Sequence, residues 1–207
     1  MDEYSLITHP NLKNLNSKYE KLLINNFLNF DGNYTSLKFP ESEIIHNMPL
    51  DEEMKYISDL KDNVLLKLSE LLNREHGVNY SNRYWKIILG HYVEFIINVT
   101  YERWISIKKI LENYNIKEAP TYEYLTDNGF IEDVYDFGYM ASYNDDFNHY
   151  LYSKAIEFQT DEKINNKINE NSIDILNCLN IQKSKFIRDQ KGIKKQNFFR
   201  RISRFVF

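Results

Sequence analysis

The sequence predicts a strongly helix-rich α/β domain with a few short strands and long buried helices. Of its 207 residues, 43% are hydrophobic and 15% are aromatic, which is enough to bury a sizeable core. The chain contains only 6 Gly and 4 Pro, whereas the many turns of a β-sandwich or β-barrel would need more of both. Apolar residues also recur at three- and four-residue spacing over long stretches, as they do in helices.

Three short apolar runs near the start have the length of strands. They span residues 4–8, 21–27 and 43–47, and the third lies between Pro40 and Pro49. The second run, KLLINNF, fits a helix equally well when it is extended to KLLINNFLNF. We therefore expect a few short strands before the first long helix.

Two long helices follow these runs. The first begins at Asp51, which can cap it, and its apolar residues recur every three or four positions until Gly77 ends it. The second begins at Ser81 and continues to about Tyr114, with apolar side chains on nearly every face. A helix of that kind is expected to be enclosed by its neighbours.

The second helix nevertheless carries one narrow line of polar positions, with Arg83 and His91 beside it. A buried helix with such a line either meets a second polar line or borders a cavity that holds water or a ligand. The members of the line lie four residues apart along the helix: Lys86, Gly90, Glu94, Asn98 and Glu102.

Several side chains on and near this line could carry chemistry. His91 and Glu94 lie three residues apart and could exchange a proton, with Glu94 as the candidate catalytic group. Arg83 and Arg103 could fork onto a phosphate or a carboxylate, and Trp85 could stack on a sugar or base ring. Each side chain also has an internal interpretation, in which the charges pair with one another and the rings fill the core.

The remainder of the chain predicts shorter elements. After Pro120, an aromatic and acidic region indicates loops and short helices. Asp145 or Asp146 would cap a helix that continues through Phe158. Residues 161–190 predict a further helix, which is polar.

Charge is distributed unevenly along the chain. Residues 183–204 contain nine basic residues and one acidic residue, so this segment is +8 in a chain of net charge −4. We expect a helix-rich domain over residues 1–180 and a basic, aromatic segment over residues 181–207, where residues 183–207 could contact an anionic membrane surface or a protein partner. A nucleic acid is not an expected partner, because the rest of the chain is acidic and its aromatic residues follow apolar periodicity.

The strong signatures of metal and cofactor sites are missing from the sequence. It contains no glycine-rich phosphate loop, no HExxH and no CxxC pair, and its five histidines never lie at ligand spacing on one helix face. We expect no metal and no cofactor. The acidic start MDEYSLITHP is not a signal peptide, and no apolar run is long enough for a membrane span, so the sequence predicts a cytoplasmic protein that could be peripheral to the inner face of the membrane.

One segment resembles a known family. HGVNYSNRYWKIILG at residues 76–90, followed by YERW at residues 101–104, is similar to a segment of transferases from bacterial surface-polysaccharide and O-antigen loci. Those proteins look like two-domain, GT-B-type glycosyltransferases. The resemblance implies a partial Rossmann-like domain of the N-terminal GT-B type, in which residues 21–27 and 43–47 stand where the first strands lie.

The candidate substrate contacts are His76, Arg83, Trp85, Lys86 and Arg103, and Glu94 is the weaker candidate for catalysis. Of these, the resemblance retains His76, Arg83, Trp85 and Arg103 by residue match, whereas Lys86 and Glu94 come from the polar line of the second helix. The family carries Pro-Trp after the glycine that matches Gly90, whereas this chain carries His91 and Tyr92. His91 therefore loses value as a catalytic candidate.

Relatives continue into a second domain with a Gln-His-Gly-Gly type segment that looks like the donor-phosphate site, and no such segment occurs before Phe207. We expect the chain to be the acceptor-side part of a glycosyltransferase-like protein of surface-polysaccharide biosynthesis, incomplete and inactive alone. Its ligands would be a nucleotide sugar and a glycan acceptor, with a second chain or domain completing the cleft. The alternative is a helical interaction module whose basic tail binds a membrane surface or a protein.

Overall fold

A computed structural model describes residues 2–14, 16–24, 49–124, 134–160 and 164–173. The described elements, in chain order, are β1 (Glu3–Ile7), a short 3-10 helix (Pro10–Asn14), β2 (Glu20–Leu23), α1 (Leu50–His76), α2 (Asn82–Asn113), β3 (Asn115–Tyr124), α3 (Val134–Tyr143), α4 (Asp145–Gln159) and β4 (Asn165–Ile173).

The four described strands form one parallel sheet in the order β2-β1-β3-β4. From β1 the chain passes first to β2 on one side and then, through α1 and α2, to β3 on the other side. The direction of winding therefore reverses between β1 and β3. Ser5, Leu6 and Ile7 of β1 are each 0% exposed, so both faces of this strand are covered, as parallel strands require. This arrangement confirms the predicted helix-rich α/β class.

Helices α2 and α4 cover the sheet. Ile107 of α2 and Ile156 of α4 are fully buried in the same apolar cluster as Leu6 and Leu22 of the strands. A second cluster joins the middle of α2 to α3 and α4, and its buried members are Phe137, Met140, Ala141 and Phe147. The C-terminal half of α2 thus packs one face on the sheet, α3 and α4, while Glu102, Trp104 and Lys108 on its other side stay exposed, so the predicted enclosure is only partial there.

Helices α1 and α2 form a long hairpin. They contain 27 and 32 residues, which corresponds to about 40 and 48 Å. Leu65 of α1 packs against Val93 and Ile97 of α2. The exposed fractions of Ile87 and Ile88 are 76% and 52%. The prediction of an enclosed helix is therefore wrong for the first turns of α2. In the described part of the chain, these turns pack against α1 on one side.

The end of α1 and the start of α2 agree with the prediction, whereas the start of α1 does not. The helix α1 begins at Leu50 after Pro49 without a side-chain cap, so Asp51 lies in its first turn and does not cap it. Gly77 follows α1 with a φ of 62°, the left-handed conformation that glycine adopts most easily. The hydroxyl of Ser81 accepts a hydrogen bond from the N–H of Tyr84 and caps α2. The cap of α4 differs from the prediction, because the side chain of Asn144, and not Asp145 or Asp146, accepts from a backbone N–H of the first turn.

Two strands were not predicted. Strand β3 includes Pro120 and begins directly after α2, and β4 lies within residues 161–190, for which a helix was predicted. The sequence of β4, NNKINENSI, is rich in Asn and charged residues, which are uncommon in strands. Its conformation is fixed by pairing with β3, in a register that joins Ala119 to Asn165.

Several predictions concern residues outside the described ranges. They are the strand at residues 43–47, the end of the run at residues 21–27 beyond residue 24, and the basic segment at residues 183–207. None of the described helices combines the length and the apolar composition that a membrane crossing requires.

Candidate functional site

Two strands end side by side where the strand order reverses. Thr8 and His9 directly follow β1, and Tyr122 lies near the end of β3. Because β1 and β3 are parallel and Tyr4 pairs with Ile116, these ends meet at one edge of the sheet. In open parallel sheets, ligands bind outside the carboxyl ends of the strands at such a reversal. This edge is therefore the first place to look for a site.

His9 is buried, with 4% of its surface exposed, and both of its ring nitrogens have partners. Its Nδ1 accepts a hydrogen bond from the backbone N–H of Asn11 at 3.1 Å, so the proton of the neutral ring lies on Nε2. Nε2 lies 3.1 Å from Oδ1 of Asp146 and donates to it. The side chain of Asp146 keeps 34% of its surface exposed. His9 therefore orients a carboxylate that solvent can reach.

His149 lies one turn further along α4 and is fully buried. Its Nε2 accepts a hydrogen bond from the backbone N–H of Tyr122 at 3.3 Å, which leaves the ring proton on Nδ1, 2.6 Å from Oγ1 of Thr8. Burial, with a smaller contribution from His9, lowers the pKa of His149 to about 3, and the charge of Asp146 opposes this shift. His149 is therefore a neutral ring that ties α4 to the ends of β1 and β3.

The rings of His9, Tyr122 and His149 pack edge to face. Their centroids are 5.3 Å apart for His9 and Tyr122, 5.4 Å for the two histidines, and 5.2 Å for Tyr122 and His149. Burial and the charge of Asp146 raise the pKa of the Tyr122 phenol above its ordinary value. The phenol therefore keeps its proton at neutral pH and can donate a hydrogen bond.

We call these five residues the switch-point cluster: Thr8, His9, Tyr122, Asp146 and His149. The cluster offers a carboxylate, a phenol, a hydroxyl and two imidazoles whose described hydrogen bonds fix the orientation of their rings. A carboxylate accepts hydrogen bonds from hydroxyl groups and repels a phosphate. The cluster is thus suited to a neutral ligand that carries hydroxyl groups. The described part of the chain contains no group of three or more His, Cys, Asp or Glu side chains arranged to hold a metal ion.

The site residues predicted from the sequence lie elsewhere. His76, Arg83 and Trp85 lie at the connection between α1 and α2, where Arg83 is exposed and the rings of His76 and Trp85 stack with centroids 6.5 Å apart. Asn73 organises this connection. Its side chain donates to the carbonyl of Tyr80 at 2.8 Å and accepts from the N–H of Tyr80 at 3.1 Å and from Nε1 of Trp85 at 2.9 Å. The segment HGVNYSNRYW thus builds a turn.

The polar line of α2 meets charged residues of α1. Lys86 pairs with Asp62 at 2.8 Å, and Glu94 pairs with Lys61 at 3.2 Å. Glu94 also lines a cavity of about 250 Å³ between the two helices, together with Lys61 and Asn98. A larger cavity of about 530 Å³ lies further along the same helices and is lined mainly by apolar and aromatic side chains, including Trp104.

Arg103 lies on the opposite side of α2 from Glu94 and contacts α3 and α4. It pairs with Glu102, and its Nη2 donates to Oδ1 of Asn148 at 3.0 Å and to the carbonyl of Ala141 at 3.3 Å. The structure therefore does not bring Arg83, Glu94 and Arg103 into one site. Each of them remains a prediction as a substrate contact.

Sequence reasoning missed the switch-point cluster because it considered histidines only as metal ligands or as partners on one helix. One signal was available: His9 directly follows a buried apolar run, so it lies at the carboxyl end of the first strand. His149 had no comparable signal, since 141 residues separate it from Thr8.

No curated protein and no solved structure matches this chain. The chain matches the LIC12162 family of transferases over residues 5–207. This range includes the carboxyl-terminal part of β1, the whole of β3 and the helix that carries Asp146 and His149. With nearly its whole length matched, the chain belongs to the LIC12162 family of transferases.

Proposed function

We propose that this transferase is the acceptor-side domain of a glycosyltransferase-like enzyme of cell-surface polysaccharide synthesis. In this proposal a neutral glycan binds at the switch-point cluster and presents a hydroxyl group for transfer. The observation that carries the proposal is the accessible carboxylate of Asp146, held by buried His9 where the strand order reverses.

The chemistry of the cluster supports a sugar acceptor over a phosphate. A sugar hydroxyl can donate to the Asp146 carboxylate and can accept from the protonated phenol of Tyr122. Aromatic rings such as Tyr122 also give sugars a flat apolar surface to pack on. The donor would be a nucleotide sugar, and a second domain or chain would supply the groups that hold its phosphates.

The proposal can be tested by thermal shift with the full chain and a panel of neutral oligosaccharides. At a glycan concentration of ten times Kd, binding stabilises the folded state by about 1.4 kcal/mol, which raises the Tm by about 3–5 °C for a chain of this size. We expect Asp146→Ala to lose this shift. Asp145→Ala, which removes an exposed carboxylate from the neighbouring position, is the matched control and should keep it.

Two outcomes would contradict the proposal. One is the absence of a shift with every glycan of the panel while nucleotides or anionic lipids produce one. The other is a glycan-induced shift that survives in Asp146→Ala, because the glycan would then bind away from the switch-point cluster.

A further inference from the structure

We propose that Asp146 is the general base of the transfer reaction and that His9 is the positioning residue that holds it. This inference rests on the proposed function and assigns a role to each member of the cluster. The substrate class is a neutral acceptor with a nucleophilic hydroxyl group, and the donor class is a nucleotide sugar.

Geometry separates the roles of Asp146 and His9. The Nε2 of His9 already carries the proton that it donates to Asp146, and its Nδ1 accepts from the N–H of Asn11. Its side chain is 5% exposed, whereas that of Asp146 is 34% exposed. A substrate hydroxyl can therefore reach the carboxylate, and the imidazole has neither the access nor an uncommitted nitrogen that a base requires.

His149 is excluded as the base for the same reasons. It is fully buried, and its two nitrogens are committed to Thr8 and to the backbone of Tyr122. It fixes the backbone at the ends of β1 and β3, beside the pair formed by His9 and Asp146. His149 therefore supports that pair and does not act as a second proton acceptor.

The described charged and titratable groups near Asp146 come from three elements. His9 follows β1, Tyr122 belongs to β3, and His149 and Asp145 lie on α4. Asp146 also lies in the first turn of α4, where the helix dipole favours a negative charge. This setting favours the deprotonated carboxylate that a base must present before the reaction.

The step balances without a further reactant. The acceptor O–H bond breaks and its proton moves to a carboxylate oxygen of Asp146. The oxygen forms a bond to the anomeric carbon of the donor sugar, and the bond from that carbon to the phosphate oxygen breaks. The nucleoside diphosphate leaves with the electron pair, and Asp146 later returns the proton to solvent.

The test measures glycan binding and nucleoside diphosphate release in parallel. Glycan binding is measured on the full chain, and transfer is measured on the full chain together with the second domain or chain that holds the donor phosphates, against neutral oligosaccharides and a panel of nucleotide sugars. We expect Asp146→Asn to retain glycan binding within about threefold and to lose transfer by about 100-fold or more, the usual contribution of a general base. Asp145→Asn is the matched control and should retain both.

His9 is tested through the pH profile of the rate. His9→Ala removes the hydrogen bond that favours the charged carboxylate of Asp146, so the acidic limb of kcat should move to higher pH. His9→Gln can still donate to the carboxylate and should restore the limb. Both variants remove the buried ring, so a general loss of folding would affect both of them. Rescue by His9→Gln would therefore show that the hydrogen bond to Asp146 sets the acidic limb.

The outcomes separate the two proposals. If the wild-type protein binds glycans and transfers sugar while Asp146→Asn transfers within threefold of the wild-type rate, the base is not Asp146 and the proposed function still stands. An acidic limb that does not move in His9→Ala overturns the role of His9. If the wild-type protein neither binds glycans nor releases nucleoside diphosphate, both proposals fail together.

Discussion

Acidification should destabilise this protein through one buried side chain, His149. Burial lowers the pKa of this ring to about 3 in the folded chain, against an ordinary value of 6.5. Between these two values the unfolded chain binds a proton at His149 and the folded chain does not. Because the unfolded state binds more protons, the free energy of unfolding falls as the pH falls, by about 1.4 kcal/mol per pH unit.

The magnitude follows from the two pKa values. At pH 7.5 both states are almost fully deprotonated at His149, and the contribution is close to zero. At pH 5.0 the unfolded state is almost fully protonated and the folded state is not, which costs about 2 kcal/mol. The loss begins near pH 6.5 and is complete only near pH 3.

Urea denaturation of the wild type and of His149→Gln at pH 7.5 and 5.0 measures this contribution. Glutamine can donate to Thr8 and accept from the N–H of Tyr122, but it does not titrate. We expect the wild type to lose about 2 kcal/mol more than the variant between the two pH values. His91→Gln, which removes an exposed histidine, should behave as the wild type does. Equal pH dependence of the wild type and His149→Gln would refute the buried neutral ring.

Three further substitutions test the packing of the helices, each by urea denaturation at pH 7.5. Asn73→Ala removes three hydrogen bonds at the hairpin turn and should lower the free energy of unfolding by about 2 kcal/mol. Asn79→Ala, at an exposed position in the same turn, should lower it by less than about 0.5 kcal/mol. Equal effects of the two substitutions would argue against Asn73 as the organiser of the turn. In Gly77→Ala the added methyl group would have no atom within 4 Å. We therefore expect only the cost of placing alanine in the left-handed conformation, about 1–2 kcal/mol. An unchanged stability would contradict the left-handed end of α1. Arg103→Lys keeps the charge but loses the Nη2 group that donates to Asn148 and to the carbonyl of Ala141, and it should cost about 1–2 kcal/mol. An unchanged stability would show that these contacts are not needed.

The long helices were predictable from the sequence because their signals are local. Apolar periodicity, Gly77 and the Ser81 cap lie within the elements that they define. Strands β3 and β4 were missed because pairing with distant strands, and not their own composition, fixes their conformation. Pro120 in β3 and the Asn-rich sequence of β4 even argue against strands when they are read locally.

The candidate site was less predictable than the fold for the same reason. The hydrogen bond between Thr8 and His149 spans 141 positions, and no spacing rule within one helix or strand can indicate it. The residues that drew attention in the sequence, Trp85 and Arg103 among them, form local or helix-to-helix contacts. Unusual composition identified a turn and a helix contact, whereas the site consists of single residues brought together by the sheet.

The central position of β1 has a consequence for how the protein is made. Tyr4 pairs with Ile116, 112 positions further along the chain. Closing a loop of that length costs about 4 kcal/mol in chain entropy, and a hairpin of α1 and α2 that forms first shortens the loop enough to remove only about 1 kcal/mol. On the ribosome, β1 therefore emerges before β3 and must wait for it, with one edge open to pairing by other chains. The edge of β1 that later pairs with β3 therefore needs protection until β3 has been synthesised.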